Sequence, residues 1–138
     1  MDWKECIGKK IARYSKPDEE LIKSLMQSSE NKIASSNLLT LNETTSVSKL
    51  SLCYDSVREL LEALAISKGY KIYNHECYTG FLKEIINDSR LAEKFDRLRL
   101  LRNSINYYGE NISVNDAKES IDELKELGKE IKKLLKAA

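Results

Sequence analysis

Residues 47–65 read VSKLSLCYDSVRELLEALA. Val47, Leu50, Tyr54, Val57, Leu61 and Ala65 recur in this stretch every three or four positions, the spacing that brings side chains onto one face of an α-helix. The segment is read as the body of a helix over about 43–67, which Gly69 ends because glycine tolerates the left-handed conformation of a helix C-terminus. An apolar stripe of this length must be covered by other elements, and the rest of the chain supplies them in the same periodicity.

Downstream, KGYKIYNHE (68–76) is read as a connection rather than a strand. A short helix over about 77–86 follows, with Tyr78, Phe81, Leu82, Ile85 and Ile86 turned inward and Gly80 weakening it. Leu91, Phe95, Leu98, Leu101 and Ile105 define another over about 89–108, stopped by Gly109. Ser113, with Asp116 three positions on, caps a last helix over about 113–136 whose stripe is Val114, Ala117, Ile121, Leu124, Ile131 and Leu135. Upstream, Pro17 starts a helix over about 17–40 on Leu21, Leu25 and Ile33, broadened by Ile22 and Met26. Asp2 to Tyr14 forms a short amphipathic segment. The product expected is an all-α domain over 1–138, an antiparallel bundle of five or six helices, with 1–16 as a short N-terminal extension or helix.

The 138 residues carry 41% apolar and 33% charged side chains, enough for a buried core inside a solvated exterior. With 23 basic and 22 acidic residues the formal charge is +1, so the whole-chain balance argues neither for nucleic acid nor for a membrane surface. No segment offers the run of roughly 20 apolar residues that spans a bilayer, and MDWKECIGKKIARYSK lacks the apolar stretch of a signal peptide. The three cysteines, Cys6, Cys53 and Cys77, fit reduced thiols, and the expected location is the cytoplasm. No metal or cofactor is expected. In YNHEC the candidate ligands His75, Glu76 and Cys77 are consecutive and lack a second local pair, so Asn74 is read as a helix cap and His75 as a residue packed at the helix entrance. Glycine-rich phosphate loops, zinc-protease helices and serine nucleophile elbows are absent from the sequence.

The chemistry concentrates in RLRLLRNSINYYG (97–109). Five basic residues against two acidic ones between Arg90 and Arg102 give a local excess of three positive charges. Arg102 falls at the edge of the apolar stripe, where its stem covers apolar surface and its guanidinium reaches a carboxylate, a phosphate or another subunit. Arg99, Asn103 and Asn106 occupy a neighbouring part of the circumference. On the 43–67 helix, Asp55, Arg58, Glu59 and Glu62 are spaced for exposed ion pairs, and in a functional reading Glu59 or Glu62 crosses a cleft to orient Arg102.

YDSVRELLEALAISKGYKIYNHECYTGFL (54–82), RLRLLRNSINYYG and the charged terminal helix together resemble, in that order, the HEPN family of small helical domains from prokaryotic toxin, defence and nucleotide-related systems. In active members an arginine, an asparagine, three variable residues and a histidine form an RNA-cleaving site shared across a dimer; the matching positions are Arg102, Asn103 and Tyr107. A tyrosine found two positions beyond that histidine in a modified branch would match Gly109, with Tyr108 adjacent but out of place. A tyrosine hydroxyl, with its pKa of about 10, is protonated at neutral pH and is a poor general base. The resemblance therefore implies a homodimeric module, noncatalytic or weakly active, that binds an RNA or nucleotide phosphate or a protein partner such as a nucleotidyltransferase-like protein. The alternative is a metal-independent endoribonuclease or toxin using Arg102 and Tyr107. The residues expected at the ligand or interface are His75, Arg99, Arg102, Asn103, Asn106, Tyr107, Tyr108, Glu59 and Glu62.

Overall fold

A computed structural model describes residues 1–109 and 111–137, with the side chains of Tyr107 and Tyr108 outside the description. Six helices and a two-stranded ribbon follow in the order α1 (Trp3–Gly8), β1 (Ala12–Tyr14), α2 (Glu19–Leu38), α3 (Ser46–Ser67), β2 (Tyr70–Ile72), α4 (Glu76–Glu84), α5 (Ser89–Tyr108) and α6 (Val114–Ala137). The helical boundaries follow local chemistry. Asp18 and Asp88 accept hydrogen bonds from Leu21 N–H and Leu91 N–H at 3.1 and 3.0 Å, the Asn74 side chain accepts from Glu76 N–H at 2.8 Å, and Ser113 accepts from Asp116 N–H at 3.1 Å. Pro17 thus precedes α2, which begins two residues later than the proline suggested because Asp18 takes the capping position.

The helix α3 is the centre of the molecule. Its Leu50, Tyr54, Val57, Leu60, Leu61 and Leu64 are all at most 2% exposed, and α2, α6, α5 and β2 pack around it. Leu61, Leu98 and Ile121, one each from α3, α5 and α6, are buried in one continuous core. The helix α5 packs chiefly on α4 rather than on α6, so the centre of the bundle is an α2–α3–α6 unit with α4 and α5 laid against its side.

The α2–α3 interface shows why the serine-rich end of α2 stays helical. Ser29 and Ser36 are buried against α3, where the Ser29 and Ser56 hydroxyls meet at 2.7 Å and Ser36 Oγ lies 3.4 Å from Cys53 Sγ. Small side chains let the two backbones approach, and each hydroxyl has a partner. Lys49, 7% exposed, donates to the carbonyls of Ser36 and Leu39 and so satisfies acceptors at the negative end of α2.

Two findings depart from the sequence reading. First, Tyr70–Ile72 is a strand, not a plain connection: it pairs antiparallel with Ala12–Tyr14 in the register Ala12 with Ile72, Arg13 with Lys71 and Tyr14 with Tyr70. Three residues are too few for the two-residue alternation to stand out, and Ala12 and Ile72 are the pair buried against the bundle. Second, Cys6 and Cys77 form a disulfide that fastens α1 to α4, while Cys53 is a free, buried thiol. The expectation of three reduced cysteines fails because the fold brings together two residues 71 positions apart. None of the helices is long and apolar enough to cross a membrane, among the described residues.

Candidate functional site

The helices α3, α4 and α5 converge on the phenol ring of Tyr54, which is fully buried and stacks on Phe95 at a centroid distance of 5.9 Å. Helical geometry places Tyr54, Asp55, Arg58 and Glu62 along the side of α3 that meets α5 and the start of α4. Arg102 of α5 lays its guanidinium over the Tyr54 ring, with Cζ 5.1 Å from the centroid. His75, at the entrance of α4, meets the Tyr54 hydroxyl through Nδ1 at 3.1 Å. The ring of Tyr54 therefore joins the sole histidine to Arg102 within one chain, an encounter the sequence left open.

Arg102 is largely enclosed, with 17% of its side chain exposed, and its nearest carboxylate is Asp55, at 3.7 Å. That separation is an ion pair and too long for a hydrogen bond. Its Nε is buried and has no hydrogen-bond partner among the described residues. Arg99, by contrast, is committed: its Nε and Nη2 both donate to Asp96 Oδ1, at 3.0 and 2.8 Å, and Thr79 of α4 donates to the same oxygen at 2.9 Å. Arg58 pairs with Glu62 at 3.6 Å, as its spacing predicted. Three arginines thus surround the Tyr54–His75 pair, and only Arg102 keeps a buried donor unspent among the described residues.

The electrostatics follow from that arrangement. Burial, reinforced by Arg58, Arg102 and Arg99, lowers the His75 pKa to about 4, so the imidazole is neutral at pH 7. Burial raises the Tyr54 and Tyr78 hydroxyls well above the ordinary phenol range, with the arginines opposing the shift at Tyr54 and Arg58 opposing it at Tyr78. Both phenols are donors at neutral pH rather than bases.

Of the residues singled out in the sequence, His75, Arg99, Arg102 and, through Arg58, Glu62 meet at this cluster. Asn103 is half-buried and Asn106 exposed, and neither amide hydrogen-bonds to a described residue. Glu59 lies apart, 3% exposed and ion-paired with Lys32 of α2. The acidic support assigned to Glu59 or Glu62 falls to Asp55, one turn nearer the N-terminus. Tyr107 and Tyr108 belong to the last turn of α5, and their side chains lie outside those described. Tyr54 and Asp55 were missed as site residues. Tyr54 carried the periodic signal of a core residue, and nothing in its spacing distinguished a buried ring that also receives a cation. Among the described residues no cluster of three or more metal-ligating side chains occurs.

Fold and site together define an all-α protein with a semi-enclosed arginine–tyrosine–histidine cluster between α3, α4 and α5. Comparison with protein-family models, with curated proteins and with solved structures finds no match to this chain.

Proposed function

We propose that this protein is a HEPN-like, homodimeric module whose Arg102 cluster binds a phosphate of RNA or of a nucleotide without cleaving it efficiently. The observation that supports the reading is Arg102 itself. An enclosed guanidinium whose Nε donor is unmatched among the described residues is costly unless an acceptor arrives. A phosphate oxygen is the acceptor for which a guanidinium fork is best shaped. Asp55, at 3.7 Å, is near enough to steady the side chain and too far to compete as a hydrogen-bond acceptor. A protein partner presenting a carboxylate, such as a nucleotidyltransferase-like protein, would use the same fork.

Titrating a fluorescent single-stranded oligoribonucleotide and a nucleoside triphosphate, both in EDTA, tests the reading. Binding to at least one is expected, with Arg102→Ala weakening it at least about tenfold and making the salt dependence shallower by about 0.7 for each phosphate the protein no longer neutralises. Arg102→Lys is expected to rescue little, because an ammonium does not reproduce the fork. Equal binding by wild type and Arg102→Ala would overturn the assignment.

A metal-independent endoribonuclease is the second reading, favoured by one observation: His75, not Tyr107, brings a neutral imidazole to the cluster. A base with a pKa near 4 is weak, so any cleavage would be slow, and His75→Ala should abolish it while leaving RNA binding intact. Tyr107→His tests the complementary point. New cleavage that disappears on adding Arg102→Ala would mean that the pocket lacks only a competent proton acceptor.

A further inference from the structure

The two segments that build the ribbon, 8–16 (GKKIARYSK) and 67–74 (SKGYKIYN), contain Lys9, Lys10, Arg13, Lys16, Lys68 and Lys71 and no acidic residue. The rest of the chain then holds 17 basic and 22 acidic side chains, an excess of five negative charges. A molecule that is close to neutral as a whole therefore carries a sharply positive pole. All six basic side chains are exposed, and none forms an ion pair among the described residues.

The register of the ribbon sharpens the pole into a surface with a defined chemistry. Arg13 stands opposite Lys71 across the two strands, so two cations share one outward face. Like charges in that position destabilise a strand pair unless something offsets them. What faces them is Tyr73, two residues beyond Lys71 on the same side: the Arg13 guanidinium lies 5.2 Å and the Lys71 ammonium 5.8 Å from its ring centroid. Tyr73 is 58% exposed, whereas Tyr14 alternates onto the opposite face of the ribbon, beside Tyr70. The backbone ladder continues past the strands through Tyr73 N–H to Ile11 C=O at 2.8 Å and Ser15 N–H to Gly69 C=O at 2.9 Å, so the surface is held in place.

A solvent-exposed aromatic ring flanked by two cations without ion-pair partners among the described residues matches a ligand that alternates flat bases with phosphates. We infer that the β1–β2 ribbon is a binding platform for single-stranded RNA, with Tyr73 stacking on a base and Arg13 and Lys71 neutralising the phosphates beside it. The identity of the strand as RNA rests on the reading of the Arg102 cluster as a phosphate site. Tyr73 stands only two residues before His75 of that cluster. A duplex buries its base faces and fits this surface poorly, and the Tyr73 ring would have no stacking partner there.

The experiment measures binding of a short unstructured oligoribonucleotide by fluorescence anisotropy across a salt series. The proteins are wild type, Tyr73→Ala, Tyr73→Phe, the Arg13→Glu/Lys71→Glu double variant and Arg102→Ala. All the altered ribbon side chains are exposed, and unchanged melting by circular dichroism verifies the fold. Tyr73→Ala should weaken binding by roughly five- to a hundredfold, the range of one lost base stack, while Tyr73→Phe keeps it. The double variant should make the plot of log affinity against log salt shallower by about 1.4, two phosphates' worth. Loss in the ribbon variants with normal binding by Arg102→Ala supports the ribbon and removes the Arg102 reading. Loss in Arg102→Ala with normal binding by the ribbon variants keeps that reading and overturns the ribbon. Equal affinity for a duplex of the same sequence, or binding to anionic phospholipid vesicles without binding to the oligoribonucleotide, would also overturn it.

Discussion

His75 is the residue at which the cluster should declare itself in a simple measurement. In the unfolded chain it titrates near its ordinary value of about 6.5, whereas in the fold its pKa is lowered to about 4. Between those values the unfolded state binds more protons, so stability is full above about pH 6.5 and is lost as the pH falls toward 4. Allowing for solvent screening at a half-buried ring, the lowered value corresponds to on the order of 2 kcal/mol. Urea unfolding of wild type and His75→Asn at pH 7 and pH 4.5 should show a steeper acid loss for wild type, the carboxylate contribution being common to both proteins. Parallel loss in the two would mean that His75 is not held neutral by burial and the three arginines. The arginines and the histidine were legible in the sequence as chemistry-bearing residues, but their meeting was not. It depends on Tyr54, which helical periodicity presents only as core, and on Asp55, whose nearest sequence partner, Arg58, pairs with Glu62 instead.

Periodicity carried the helices because each buries a face continuous over several turns, so α2, α3, α5 and α6 lie within a few residues of where their apolar stripes place them. It did not carry β1 and β2, whose three-residue strands owe their pairing to an encounter across 60 positions of sequence. Two glycines in helix interiors, Gly80 of α4 and Gly128 of α6, separate clearly by their packing. At Gly80 of α4 a Cβ would lie 3.0 Å from Trp3 N and 3.2 Å from Trp3 Cα, both backbone atoms of the α1 start. Gly80→Ala should therefore push α1 away and cost about 1–3 kcal/mol, despite the better helix propensity of alanine. At Gly128 of α6 the nearest atoms are Leu60 Cδ1 at 3.6 Å and Val57 Cγ2 at 3.8 Å, ordinary van der Waals distances. Gly128→Ala should stabilise by about 0.5–1 kcal/mol, chiefly through helix propensity. Chemical denaturation of both variants checks the pair; a stabilising Gly80→Ala would show that α1 does not sit as closely on α4 as these distances require.

At the scale of the molecule, the core built on α3 takes in α2, α6 and the β2 strand of the ribbon, while α5 packs chiefly on α4 and α1 is held to α4 at one corner. Trp3 packs edge-on against Tyr70 at 5.1 Å and near Phe81 at 5.8 Å, and the Cys6–Cys77 disulfide closes the same corner. Because the crosslink joins residues 71 apart, it removes a long loop's worth of freedom from the unfolded chain. Chain-entropy reasoning puts its contribution at about 4 kcal/mol, and measured values for such links run at about 2–4 kcal/mol. A Cys6→Ser/Cys77→Ser variant should then melt about 10 °C lower than the oxidised wild type. Reductant should bring wild type to the same point and leave the variant unmoved. Cys53→Ala keeps the crosslink and should keep the response to reductant, because the Cys53 thiol is buried against Ser36 and takes no part in the link. The crosslink also reaches the candidate site: Cys77 lies two residues beyond His75 at the start of α4. Opening it should loosen the seat of the imidazole and let its pKa, about 4 in the intact fold, rise toward the ordinary value. Following the His75 ring protons by NMR through an acid titration, with and without reductant, separates the two effects. A lower melting point with an unchanged His75 titration would place the crosslink in the stability of α1 alone, whereas movement of both would tie the redox state of this corner to the proton affinity of the cluster.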